Sequence, residues 1–178
     1  MTDTWLAPAQ RHAPLVRIFH WIVALLVLVV LPAGALIKFV AKDFQVGFYL
    51  VHESFGFLIL WVMLARLAIR LRHPAPPEPW LSPFERRASE IVHRALYACL
   101  ILQPVLGFLM TNAYGFPLSW FGVVPVPSPL GADPGLAHYL KGGHIVIGWL
   151  ILVLFLAHMA GVVRHHLIKR DATLYRIL

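Results

Sequence analysis

Charged residues are scarce in this chain: only 13% of its 178 residues are Asp, Glu, Lys or Arg, whereas 60% are hydrophobic. A soluble domain ordinarily has about a quarter of its residues charged. This deficit and a mean hydropathy of +0.75 exclude an ordinary soluble globular protein. The formal net charge of +7 comes from short basic clusters between apolar runs. Nucleic-acid binding needs a solvent-facing basic patch, so we expect no nucleic-acid partner.

Cysteine is nearly absent as well. The single cysteine, Cys99, lies within an apolar run. The chain therefore can form no internal disulfide and contains no cysteine-based metal site. We expect Cys99 to be a small buried packing residue.

What the chain has instead is long stretches without charge. Between Arg17 and Lys38 there are 20 uncharged residues, and between Lys141 and Arg164 there are 22. A helix needs roughly 20 residues to cross a hydrocarbon core of about 30 Å. Two further stretches qualify in the middle of the chain. The sequence predicts an all-α integral membrane four-helix bundle, one domain over residues 1–178, with spans near 15–37, 48–71, 89–111 and 142–165.

The basic residues are distributed unequally between the two predicted sides. Twelve of the 15 Lys and Arg residues fall on the side of the termini and of the 72–88 loop. The opposite side has only Lys38, Lys42 and Lys141. By the positive-inside rule, both termini and the 72–88 loop are predicted to be cytoplasmic.

Five of the ten histidines lie inside or at the ends of the predicted spans: His20, His52, His93, His144 and His158. Ionisable side chains in a membrane generally face the bundle interior and mark function. His144 and His158 are 14 residues apart, so they lie within roughly 40° on one helix face and about 21 Å apart along the axis. Histidines at the same depth in the membrane form two pairs: His52 with His144 towards the outside, and His20 with His158 towards the inside. An interhelical hydrogen bond explains one such histidine easily, but four at matched depths much less well.

Two facing imidazoles suit haem better than zinc. Zinc generally needs four protein ligands, and no cysteine or carboxylate set completes such a shell. Haem iron needs only axial ligands from the protein. Gly56, Gly148 and Gly161 follow ligand histidines on the same faces, where a small residue lets a flat ring approach the helix. The chain has no C-x-x-C-H, so the sequence predicts two non-covalently bound b haems between the helices.

Several of these segments together resemble the bacterial cytochrome b561 family. The resemblance covers nearly the whole chain, and it implies a di-haem b protein of the inner membrane that exchanges electrons with quinone. It implies the same four ligands, His20, His52, His144 and His158. The small stand-alone members of similar length are superoxide oxidases, so it also implies that superoxide is oxidised at the periplasmic face and ubiquinone is reduced. The segments that carry it are Arg17-Ile-Phe-His20-Trp21, Val51-His52-Glu53-Ser54-Phe55-Gly56, Ala65-Arg66-Leu67 running into His73-Pro74, Gln103-Pro104-Val105-Leu106-Gly107, Gly143-His144 with His158, and Lys169-Arg170-Asp171-Ala172-Thr173-Leu174.

Two further histidines have open roles. His93, beside Arg94 at the inner end of the third span, could replace His20 as a ligand, line a quinone pocket or contact a haem propionate. His165 lies past Arg164 at the inner surface, where an imidazole could donate a hydrogen bond to a quinone carbonyl. The resemblance favours that role for His165, and a solvated interfacial histidine is the alternative.

No catalytic side chain is assigned by the sequence. Lys38, Lys42 and Lys141 could attract a small anion such as superoxide. Lysines at a membrane boundary are also ordinary anchors, and nearby acidic residues offset their charge. Arg17, Arg66 and Arg70 could pair with the inner haem propionates.

Two other functions fit the same pattern. The chain could be a haem-b, quinone-reactive membrane anchor of a larger dehydrogenase or hydrogenase, with a redox protein as its electron donor. It could also be a helical scaffold without enzymatic activity, in which the histidines are structural. Membrane lipid is a partner in every case.

Overall fold

A computed structural model describes residues 11–178. Four long helices make up most of this part of the chain: α1 (Pro14–Leu36), α2 (Lys42–Arg72), α3 (Pro83–Ala113) and α4 (Pro134–Val163). Within the described residues, all four are long and apolar enough to cross a membrane. The predicted all-α, four-helix membrane architecture is confirmed. Residues 1–10, part of the predicted domain, lie outside the described residues.

Three helices begin earlier than the charge pattern indicated. Helix α3 starts at Pro83 because Ser82 caps it: the Ser82 hydroxyl accepts from Glu85 N–H, and the Glu85 carboxylate accepts from Ser82 N–H. Helix α4 starts at Pro134, where the Asp133 carboxylate accepts from Leu136 N–H. An absence of charge marks the hydrocarbon layer, whereas capping residues mark where a helix begins.

The helices pack in chain order, α1 on α2, α2 on α3 and α3 on α4. A buried cluster joins Val23 and Val27 of α1 to Ile59 and Met63 of α2, with side chains of α3 packed against it. In the described chain, α1 and α4 make almost no close backbone approach. Helices α1 and α4 therefore do not pack tightly against each other.

The connection between α3 and α4 forms a small antiparallel hairpin, β1 (Ser119–Trp120) with β2 (Val124–Pro125). Fully buried Ser54 of α2 anchors it: the Ser54 hydroxyl accepts from Phe121 N–H at 2.8 Å, and the Ser54 carbonyl accepts from Trp120 Nε1–H at 3.0 Å. Trp120 and Phe121 of this connection are therefore held against α2.

After α4 the chain makes a π-helical turn, Arg164–Lys169, and folds back as residues 170–178, the C-terminal strap. Trp80 lies in the connector between α2 and α3, residues 73–82, which is rich in proline. Its Nε1–H donates to Thr173 Oγ1 of the strap at 3.1 Å. Arg176 is buried, forms an ion pair with Glu78 and donates to the Pro76 carbonyl. The strap thus ties the connector between α2 and α3 to the end of α4.

Candidate functional site

The structure brings His52 of α2 and His144 of α4 together at one end of the bundle. Their ring centroids are 6.1 Å apart and their planes are inclined by 83°. Nδ1 of His52 lies 2.9 Å from the Val30 carbonyl oxygen, and Nδ1 of His144 lies 3.1 Å from that of Gln103. A carbonyl only accepts, so each Nδ1 carries the proton and each Nε2 keeps its lone pair, as a metal ligand requires.

Two glycines closely border these imidazoles. A Cβ atom at Gly34 of α1 would lie 2.8 Å from Nδ1 of His52, and one at Gly107 of α3 would lie 2.9 Å from Cε1 of His144. The glycines selected from the sequence as room for a flat haem ring are different ones and do not border these imidazoles. A Cβ at Gly56 would lie 3.9 Å from Val30, one at Gly148 would lie 3.3 Å from Gln103, and one at Gly161 would meet nothing within 4 Å. Gly34 and Gly107 are the glycines that leave room for the outer pair.

A regular spacing in the sequence could have identified Gly34 and Gly107. The 14-residue interval between His144 and His158 in α4 recurs once in each of the other helices. Residues 14 apart share a helix face about 21 Å apart along the axis. Each helix thus presents one residue at the end of the bundle that holds His52 and His144, the outer level, and one at the opposite end, the inner level. The other intervals are His20 to Gly34, His52 to Arg66 and His93 to Gly107.

At the other end of the bundle, His20 of α1 faces His158 of α4. Their ring centroids are 6.3 Å apart, with planes inclined by 64°. His93 of α3 lies against the same His158 ring, with centroids 5.2 Å apart. Nδ1 of His93 lies 2.7 Å from the Ser89 carbonyl oxygen. The inner level therefore holds three imidazoles and not the two of the outer level.

The separations of both pairs leave room for a haem held between two imidazoles. The ring centroids are nearly equally far apart in the outer pair, at 6.1 Å, and in the inner pair, at 6.3 Å, whereas those of His93 and His158 are 5.2 Å apart. Within residues 11–178, no three His, Cys, Asp or Glu side chains assemble as a metal-ion site.

Two arginines at the inner level have buried nitrogens with unmet hydrogen-bonding capacity. Nε of Arg17 and Nη1 of Arg66 are buried without a hydrogen-bond partner in the described chain. Arg66 is held by Tyr97, whose hydroxyl oxygen accepts from Nε at 2.8 Å. Arg70, by contrast, donates to the His73 carbonyl. Free guanidinium N–H groups at this level suit the propionate carboxylates of a haem.

His165 extends the histidine face of α4 beyond the inner pair. It follows His158 by seven residues, so in helical geometry it lies on the same face about two turns further in. It is buried, at 9% exposure, which excludes the solvated alternative. Nδ1 of His165 lies 2.6 Å from Oδ2 of Asp171 in the strap. The sequence analysis did not identify Asp171 as its partner.

The lysines considered for anion attraction are all exposed at the end of the outer histidine pair. Lys38 follows α1, with Nζ 5.0 Å from the Phe39 ring centre. Lys42 opens α2, and Lys141 lies in the early turns of α4. No ion pair to any of the three occurs within residues 11–178.

Comparison with known proteins identifies the family. The model of the prokaryotic cytochrome b561 family matches residues 11–178. The chain is 31% identical to cytochrome b561 homolog 2 of Escherichia coli (strain K12), covering 95% of this chain and 92% of that protein. It is 29% identical to the probable superoxide oxidase CybB of Yersinia pestis, covering 89% and 90% of the two chains. The chain therefore belongs to the prokaryotic cytochrome b561 family, whose members are b-haem electron-transfer proteins of the membrane.

Proposed function

We propose that the chain is a di-haem b oxidoreductase of the bacterial inner membrane that oxidises superoxide at the periplasmic side and reduces ubiquinone. The observation that carries this proposal is the meeting of His52 with His144 and of His20 with His158 at two levels of one bundle. Two levels provide a route for electrons between the membrane surfaces. The similarity to a probable superoxide oxidase supports the choice of donor.

In this proposal His52 and His144 bind the outer haem and His20 and His158 bind the inner haem. When bound, b haem supplies reversible one-electron transfer. The Val30 and Gln103 carbonyls keep the protons of the outer imidazoles on Nδ1 and so direct each Nε2 to the cofactor. At the inner level, Arg17 and Arg66 have the free N–H groups to hold propionates. His93 packs beside the inner pair as a neighbour, and we assign ligation to His20 because its separation from His158 is close to that of the outer pair.

The proposed orientation has the outer pair at the periplasmic surface and both termini in the cytoplasm. It is supported by the excess of basic residues on the side of the termini. Exposed Lys38, Lys42 and Lys141 would then raise the local concentration of a small anion near the outer haem. At the cytoplasmic end, buried His165 is the side chain that we assign to the quinone carbonyl.

The test is a reduced-minus-oxidised absorption spectrum of the purified protein with haem quantified per chain, followed by superoxide and then quinone. We expect two b haems per chain, reduced by superoxide and reoxidised by ubiquinone. Added superoxide dismutase should abolish the reduction, which controls for other reductants in the mixture.

The alternative outcomes separate the competing functions. Two haems that superoxide leaves oxidised would favour a membrane anchor fed by a partner protein. A colourless protein would contradict the haem assignment altogether and favour a scaffold.

A further inference from the structure

His165 and Asp171 form an enclosed pair at the inner end of α4. Nδ1 of His165 lies 2.6 Å from Oδ2 of Asp171, and the two side chains are only 11% and 12% exposed. The backbone holds the pair together: Arg170 has a left-handed conformation, with φ of 52°, and Asp171 N–H donates to the His165 carbonyl at 3.1 Å. The chain therefore turns back at the end of the π-helical turn and places the carboxylate against the imidazole.

The second carboxylate oxygen is also occupied, because Oδ1 of Asp171 accepts from Thr173 N–H at 3.0 Å. Burial by itself would raise the pKa of Asp171, but the hydrogen bonds from Thr173 and His165 outweigh it and hold that pKa below its ordinary value. Asp171 is thus ionised at neutral pH and can only accept hydrogen bonds. The His165 proton nearest to it is therefore on Nδ1, which leaves Nε2 for another partner.

Three cations near the pair have carboxylate partners other than Asp171. Glu85 of α3 accepts from Lys169 Nζ at 2.8 Å and from Arg164 Nη2 at 3.2 Å. Arg176 in the strap is paired with Glu78 of the connector. Asp171 therefore serves His165 and its own turn, and it is not needed to neutralise these neighbouring cations.

The π-helical turn that contains His165 ends the last helix of the bundle. Such turns occur at helix C-termini, where the chain changes direction. Here the turn follows α4 directly and spans Arg164–Lys169. His165 is its buried member and continues the face of the inner ligand His158.

We infer that Asp171 is a positioning residue that holds His165 in the tautomer and orientation needed to protonate the quinone. This inference rests on the proposed quinone reduction. Two superoxide anions become two dioxygen molecules and supply two electrons, and ubiquinone takes these electrons and two protons to become ubiquinol. As one carbonyl oxygen gains its O–H bond, the Nε2–H bond of His165, protonated on both nitrogens for this step, breaks. Water on the inner side returns the proton to Nε2 and supplies the proton that the second carbonyl oxygen takes. The Nδ1 proton stays between His165 and Asp171, as in other His–Asp pairs.

The experiment compares Asp171→Asn with the wild-type protein in two half-reactions, haem reduction by superoxide and haem reoxidation by ubiquinone. We expect unchanged haem content and unchanged reduction by superoxide. The maximal rate of reoxidation should fall by about 10²-fold with little change in the KM for quinone, because an amide can stabilise the wrong tautomer of His165. Asp171→Glu should restore part of the rate. The solvent deuterium isotope effect on reoxidation should be larger in Asp171→Asn than in the wild type.

Trp80→Phe is the matched control for a loosened strap. It removes the hydrogen bond to Thr173 but leaves Asp171 in place. We expect it to reoxidise at nearly the wild-type rate. Equal slowing in Trp80→Phe and Asp171→Asn, or a wild-type rate in Asp171→Asn, would overturn the inference. If Asp171→Asn fails to retain haem, the same comparison is made with Asp171→Glu, which must be slowed at least several-fold. A wild-type protein that quinone cannot reoxidise would overturn the proposed function as well.

Discussion

Gly107 of α3 lies so close to His144 of α4 that a Cβ atom in its place would be 2.9 Å from Cε1 of the imidazole. Gly34 of α1 lies equally close to His52 of α2: a Cβ atom in its place would be 2.8 Å from Nδ1 of that imidazole. Real Cβ atoms essentially never come so close to ring atoms, so either ring would have to move. Two different helices thus leave space for the outer imidazole pair by omitting a side chain.

The first prediction concerns these two glycines. Gly34→Ala and Gly107→Ala should each lower haem content from about two towards about one per chain, because displaced imidazoles no longer face each other across an iron. Haem quantified per purified chain measures this. Gly47→Ala is the control, since Gly47 is an exposed residue of α2 and a Cβ there meets nothing within 4 Å. Full haem content with an unchanged spectrum in Gly107→Ala would show that the outer site tolerates the displacement.

The second prediction separates the ligands from their neighbour. His52→Ala and His144→Ala should lose the same haem, and His20→Ala and His158→Ala should lose the other. His93→Ala should keep both, because the separation of His20 from His158 is close to that of the outer pair, whereas the His93 ring lies nearer, 5.2 Å from that of His158. Haem content and a redox titration of each variant measure this. If His20→Ala kept both haems while His93→Ala lost one, the inner pairing proposed above would be wrong.

The third prediction concerns attraction of superoxide. Replacing Lys38, Lys42 and Lys141 together by Gln should lower the second-order rate of haem reduction by superoxide by about 10-fold at low ionic strength, and by less as salt is added. Stopped-flow reduction at several salt concentrations measures this. Arg72→Gln with Arg87→Gln removes exposed charges at the opposite end and should leave the rate unchanged. An equal loss in both variants would argue for net charge and against local attraction.

The fourth prediction is a pH dependence at the inner end. His12 N–H donates to the Arg176 carbonyl at 3.0 Å. Burial, followed by the charge of Arg176, lowers the pKa of His12 from 6.5 to about 4. Because the folded-state pKa is the lower one, protonation favours the unfolded state. The contribution of His12 to stability is therefore fully present above pH 6.5 and is lost as the pH falls towards 4.

The thermal midpoint of the purified protein should accordingly fall between pH 6.5 and pH 4, and less steeply in His12→Asn, which does not titrate. His138→Asn, an exposed change in α4 at the other end, should follow the wild-type curve. A His12→Asn curve parallel to that of the wild type would show that His12 does not contribute to this dependence.

Much of the architecture could be predicted because its causes are local. Helix α1 is recognisable from its own uncharged run, and the 14-residue interval from His144 to His158 places both on one face by helix geometry alone. The same reasoning considered only glycines in the ligand helices and so missed Gly34 and Gly107. Gly56 and Gly161 follow histidines in their own helices, but the rings of His52 and His144 point towards neighbouring helices. The glycines that border those rings therefore had to come from α1 and α3.

The sequence by itself determined that the chain forms four apolar helices and that their histidines lie at two levels, since hydropathy and helical periodicity act within a single segment. Only the tertiary structure decided that Gly34 borders His52, that Ser54 anchors the outer hairpin and that Asp171 holds His165. These contacts depend on how helices pack and on where the chain turns back after α4. The 14-residue spacing places Gly34 at the level of the outer pair, but helical periodicity within one segment cannot tell which residue of another segment it meets.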